Sequence, residues 1–192
     1  MAATALYLGS DTGTQGDWRG DPNPAANTTA KWGTEGRLIV DANGTDEVLT
    51  LPSHITMTEN GSPAKYTWAT SSTSARGVRQ YDSNDYIAAC WYKSGTYGFE
   101  LPITDGRSHI LRVCCLDYDP ASRDQTLRIR DGVGGSVLDT QANLSGITSS
   151  KWFNWLVTGN VFLEVIFNAN TNAVVSAILF DCPVAKSSGF FA

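Results

Sequence analysis

Along most of this chain apolar and polar residues alternate with a period of two, the spacing that places successive side chains on opposite faces of a strand. The clearest run is His109 to Thr140. Its first strand, Ile110 to Leu116, alternates around Leu111, Val113 and Cys115 and ends in the acidic residues Asp117 and Asp119. Pro120-Ala121-Ser122 turns the chain. Gln125 to Asp131 then sends Leu127 and Ile129 to one face and Arg128 and Arg130 to the other. Gly132, Gly134 and Gly135 supply the permissive dihedrals of a hairpin before a third strand opens at Val137.

The same reading predicts strands over Ala5 to Gly9, Arg37 to Asp41, Val48 to Leu51, Tyr66 to Trp68, Val78 to Tyr81, and Tyr86 to Lys93. Lys93-Ser94-Gly95-Thr96 links the last of these to Tyr97 to Leu101 as an expected hairpin. Trp152 to Val157, Val161 to Phe167 and Ala173 to Phe180 complete the set, the last two being the most apolar and expected at sheet centres. Asn43-Gly44 and Asp82 to Asp85 read as turns, and Asn27 to Trp32 as one helical turn in an aperiodic stretch. Nowhere do ten residues hold a helical period. Roughly ten to thirteen short strands with turns between them predict an all-β fold, an antiparallel β-sandwich of jelly-roll type. A single domain spans 1–192, with a long N-terminal loop over about 10–36.

At 192 residues the chain buries roughly 70% of its extended surface and needs neither disulfides nor metals to fold. A hydrophobic fraction of 42% with 17% charged residues places it among globular proteins. The net charge of −5 and the scattered basic residues argue against nucleic acid as a partner. Arg76, Arg79, Arg107 and Arg112 read as solvated strand faces. No apolar run reaches the roughly 20 residues of a membrane span, and the first residues lack the basic and apolar regions of a signal peptide. The four cysteines show no C-x-x-C spacing and no His pair near them in sequence, which argues against zinc and for buried free thiols.

Several segments, in order along nearly the whole chain, resemble one family. They are Asp11-Thr12 with Thr14-Gln15-Gly16-Asp17-Trp18, Gly33 and Gly36, Trp91-Tyr92, Asp105-Gly106 with His109, Leu116-Asp117-Tyr118-Asp119 with Arg123, Val137 to Thr140, and Asn172 to Ser176. Together they resemble a jelly-roll, galactose-binding-like accessory domain found near the C-termini of large secreted bacterial proteins. Cys114-Cys115 replaces the usual aliphatic and aromatic pair, and the loop from Gly20 to Lys31 is longer than that pattern. The resemblance implies a non-catalytic recognition or assembly module.

Asp11 to Trp18 collects hydroxyls, an amide, carboxylates and an indole, the groups that hold a sugar's hydroxyls and its C–H face. Asp11, Thr14, Gln15, Asp17 and Trp18 are therefore candidate carbohydrate contacts, with Trp91 and Tyr118 as further aromatic candidates. The same loop residues equally suit side-chain-to-backbone bonds that fix a loop onto a sheet. Asp117, Asp119 and Asp124 are candidate ligands for Ca²⁺, which takes about six to eight oxygens. The competing arrangement pairs Arg123 with one carboxylate while the other caps the turn.

His54 and His109 are the only histidines. No G-x-S-x-G elbow accompanies them, so His109 is expected to be a hydrogen-bonded structural residue. The five glutamates sit in no recognisable acid/base setting. Gly132 to Gly135 belongs to a hairpin and not to a phosphate loop, since no helix follows. Three functional settings follow. The first is an exposed virion protein (decoration, fibre or tail component) that binds host glycans and packs on its own copies or on other virion proteins. The second is a carbohydrate-binding accessory module of a secreted, extracellular bacterial protein. The third, a small polysaccharide-acting enzyme, requires a cleft with converging carboxylates.

Overall fold

Alternating side chains form strands here because each strand has one face to bury and a neighbour to pair with. The computed structural model describes residues 2–19, 31–41, 48–81, 83–119 and 121–183. The helical turn from Asn27, the Asn43-Gly44 turn, the loop from Gly20, Asp82 and Pro120 lie outside those residues. The chain opens with β1 (Thr4–Asp11), β2 (Gly36–Ile39), β3 (Val48–Thr50), β4 (Thr58–Asn60) and β5 (Ala64–Ser72). It continues through β6 (Val78–Arg79), β7 (Tyr86–Lys93), β8 (Tyr97–Pro102), β9 (His109–Cys115) and β10 (Asp124–Asp131). It ends with β11 (Val137–Leu144), β12 (Lys151–Thr158), β13 (Asn160–Ala169), β14 (Ala173–Val175) and β15 (Ala177–Asp181). Among the described residues there is no helix, and every strand pair is antiparallel.

The strands form a six-stranded sheet in the order β1-β12-β9-β15-β2-β3 and a five-stranded sheet in the order β11-β10-β13-β8-β4. A smaller sheet, β14-β7-β5, carries β6 against β7. One hydrophobic core joins them, containing the fully buried Trp18, Trp91, Trp152, Trp155, Phe99 and Phe180. β13 and β15 hold interior places in their sheets, but the single strand expected over Ala173 to Phe180 is broken at Ser176, and its first part, β14, edges the smaller sheet beside β7. The partners nest: β10 with β11, β9 with β12, β8 with β13, and β7 with β14. The chain from β7 to β14 is thus one long hairpin wound across the sandwich.

That winding corrects one expectation. β7 and β8 are not a hairpin, because they lie in different sheets. Trp91 and Phe99 meet edge to face across the core at 5.1 Å, so the connection at Ser94 carries the chain over the rim. The hairpin at Gly132 does form between β10 and β11, where Gly132 and Gly134 adopt φ of 69° and 72°. β4 has no counterpart among the expected strands, since Thr58-Glu59-Asn60 carries no apolar alternation. Three of the arginines expected on solvated faces are bound instead: Arg76 to the Thr148 and Tyr118 carbonyls, Arg79 to Asp17, and Arg112 to Asp181 and Asn154.

Candidate functional site

The turn after β9 determines the site. Leu116 ends the buried run of β9, and Asp117 follows it into the interior. There its Oδ1 accepts from the Ala121 amide at 3.0 Å and its Oδ2 from the Arg123 amide at 3.2 Å. The Arg123 guanidinium closes the turn by donating to both Asp117 and Asp119. Buried carboxylates are normally paired and hydrogen-bonded in this way. Arg123 itself is buried, and its Nε donates to Asn172 Oδ1 at 2.8 Å, across 49 sequence positions. One guanidinium thus joins the β9–β10 connection to the β13–β14 connection.

Beside this knot β5 presents Tyr66 and Trp68, two apart and therefore on one face. The neighbouring strand β7 presents Cys90 and Tyr92 by the same rule, with Tyr66 opposite Cys90 in register. These side chains line a cleft of about 220 Å³ together with Asp119, Arg123, Thr171 and Asn172. Tyr66 packs edge-on against Trp68 at 5.6 Å and against Tyr92 at 6.3 Å. The Arg123 guanidinium lies 5.3 Å from the Trp68 ring, within cation–π range. Tyr66 remains 52% exposed, while Trp68 and Tyr92 are half-buried.

Arg123 holds the Asp119 carboxyl down at about 2, helped by the Trp68 indole. That indole N–H is buried and makes no full hydrogen bond. At the floor, burial pushes the Cys90 thiol far above its ordinary value, so it presents a small apolar surface. The cleft therefore combines aromatic faces, a planar cation, one ionised carboxylate and an amide.

The candidate residues of the N-terminal loop sit elsewhere, and they are fixed to the sheets. Asp11 Oδ1 accepts from the Thr14 amide at 2.7 Å, and Thr14 Oγ1 accepts from Lys31 Nζ at 2.7 Å. The Gln15 carbonyl accepts from Trp152 Nε1 at 2.6 Å. Asp17 accepts from Tyr86 Oη at 2.6 Å and from Arg79. Burial works against the charge of Asp17, but these donors hold its carboxyl below the ordinary value. Trp18 is fully buried and donates through Nε1 to the Arg79 carbonyl at 2.8 Å. Trp91 is equally buried and donates to Glu59 Oε1 at 2.9 Å. Neither tryptophan offers a face to a ligand, which corrects their reading as sugar contacts. The composition of a strand or loop does not distinguish a buried indole from an exposed one.

Of the expected carbohydrate contacts only Tyr118 lies by the cleft, its ring 6.3 Å from Trp68 and 4.8 Å from the Arg76 guanidinium. The expected calcium set does not converge. Arg123 brings a cation between Asp117 and Asp119, and Asp124 Oδ1 turns away to accept from Asn168 Nδ2 at 3.0 Å. The turn therefore has the Arg123-paired arrangement. Tyr66, Trp68, Tyr92 and Asn172 were not among the candidates. The clean alternation of Tyr66-Thr67-Trp68 was the signal that marks two of them. Comparison of the chain with protein-family models, with curated proteins and with solved structures finds no match.

Proposed function

We propose that this chain is a non-catalytic recognition module that binds a saccharide in the cleft between β5, β7 and the turn after β9. The observation that carries this reading is the juxtaposition of Tyr66, Trp68 and Tyr92 with the Arg123–Asp119–Asn172 group. Sugars present an apolar C–H face and a rim of hydroxyls. Aromatic rings bury the first, and planar charged or amide groups bond the second.

The chemistry of the cleft supports binding without turnover. Glycoside hydrolysis ordinarily needs two carboxyl groups, one of them carrying a proton. Among the described residues Asp119 is the only carboxylate lining the cleft, and Arg123 keeps it ionised far below neutral pH. The nested pairing of β7 to β14 supports the finer architectural reading, a jelly roll, whose strands are wound in this manner. A virion surface protein and a secreted accessory domain would use such a cleft in the same way.

An oligosaccharide array screened with the full chain tests the reading, followed by calorimetry on the best binder. Trp68→Ala is expected to weaken binding by about tenfold or more, each tenfold being about 1.4 kcal/mol. Trp18 lies outside the cleft, and a conservative Trp18→Phe change is expected to leave the affinity unaltered. Binding to no glycan, or binding indifferent to Trp68→Ala, would sink the proposal.

A further inference from the structure

A second group of side chains gathers at one rim of the six-stranded sheet, on elements distinct from the cleft. The neighbouring strands β2, β15 and β9 have ends there: Phe180 pairs with Gly36, and Asp181 with Ile110. Glu35 therefore precedes β2, Cys182 follows β15 and His109 opens β9 at the same place. The connection from β3 to β4 adds His54, whose carbonyl accepts from the Thr104 amide at 2.9 Å. The turn from β8 to β9 adds Asp105.

The two histidines, far apart in sequence, come together with ring centroids 5.2 Å apart. Glu35, His54 and His109 each present a ligand atom within 4.8 Å of the other two. Asp105 stands between the imidazoles, its Oδ2 at 3.7 Å from His54 Nε2 and 3.2 Å from His109 Nε2. Tetrahedral zinc with bonds of about 2.0–2.1 Å sets neighbouring ligand atoms about 3.4 Å apart. The two distances from Asp105 Oδ2 to the imidazoles, 3.2 and 3.7 Å, bracket that value.

Two further features point to a metal. Glu35 Oε2 lies 2.7 Å from His109 Nδ1, the carboxylate contact that fixes a ligating histidine's proton on Nδ1 and frees Nε2. His54 Nε2 is buried and has no hydrogen-bond partner. A network of His109 with its two carboxylates accounts for His109 alone and leaves that nitrogen unsatisfied, at a cost. A metal bond satisfies it.

We propose that His54 Nε2, His109 Nε2 and the Asp105 carboxylate bind a divalent transition metal of the zinc class, with Glu35 orienting His109. Two imidazoles and a carboxylate suit zinc, whereas calcium takes oxygen ligands. Cys182 Sγ donates to Glu35 Oε1 at 2.8 Å and stands outside the ligand triangle. Bound there, the ion ties the β3–β4 connection and the β8–β9 turn to the end of the sheet.

Zinc titrated calorimetrically into the chelator-stripped full chain is the test, with thermal unfolding in parallel. One zinc per chain is expected, together with a higher Tm. His54→Ala and Asp105→Asn should each weaken binding by at least about tenfold, and Glu35→Gln by about 10–100-fold. Cys182→Ser should bind as the wild type does. Where His54→Ala lowers the Tm of the metal-free chain, His54→Gln replaces it. Absence of stoichiometric binding overturns the proposal. So does zinc binding that survives the loss of His54, or that disappears in Cys182→Ser alone, which would mean capture by the exposed thiol.

Discussion

At the scale of single residues, Arg123 does two jobs that constrain each other. It neutralises Asp117 inside the protein and supplies the cation of the cleft. Removing one partner of a buried pair leaves the other charge uncompensated, so Asp117→Ala is expected to destabilise the fold by about 3–5 kcal/mol in chemical denaturation. Asp119, by contrast, is half exposed and contributes mainly through its ionisation. Its folded pKa of about 2 lies below the ordinary carboxylate value, so its stabilising effect is present above pH about 4 and is lost as pH falls toward 2. The stability gap between wild type and Asp119→Asn, clear at pH 7, should therefore close on acidification. A gap that persisted unchanged at the acid end would show that Asp119 acts by packing and not by charge. Sequence placed Asp117, Asp119 and Arg123 in one turn. It could not supply Asn172, because a hydrogen bond across 49 positions leaves no local trace.

At the scale of elements, strands were legible and their sheets were not. Period two states that Leu127 and Ile129 share a face, but it does not name the strand that pairs with theirs. The turn at Gly132 closes a true hairpin, whereas the equally turn-like stretch at Ser94 and Gly95 crosses between sheets. What separates the two is the burial of Tyr97 and Phe99 on the far side, a tertiary fact. Gly98, between them, shows how closely the second sheet is packed. A Cβ on it would fall 2.3 Å from the Leu163 carbonyl oxygen and 2.5 Å from the Phe162 ring. Gly98→Ala must therefore push β8 away from β13, and overpacking of this kind typically costs about 1–3 kcal/mol. Faster amide exchange in β8 and β13 than in β12 would locate the damage. Uniform exchange across all three strands would refute that account.

At the scale of the whole molecule, the sandwich sorts its cysteines by burial, and chemistry at the surface can read this directly. Cys90, Cys114 and Cys115 are buried free thiols, and Cys182 is the exposed one. Burial pushes Cys114 up to about 12 and raises Cys115 well above its ordinary value, so neither ionises at neutral pH. The expectation of mostly buried, free thiols thus followed from spacing alone. The exception was invisible, because Cys182 owes its position to the end of β15. A thiol-reactive chromogen should label one of the four cysteines in the folded chain and all four after denaturation. The single reaction should also be slow, since the hydrogen bond to Glu35 raises the thiol above its ordinary value. Glu35→Gln removes the negative acceptor and is expected to speed labelling without changing its stoichiometry. Two or more reactive thiols in the native chain would mean that the core around β7 or β9 opens on the timescale of labelling, and that the sandwich is less cooperative than its single hydrophobic core implies.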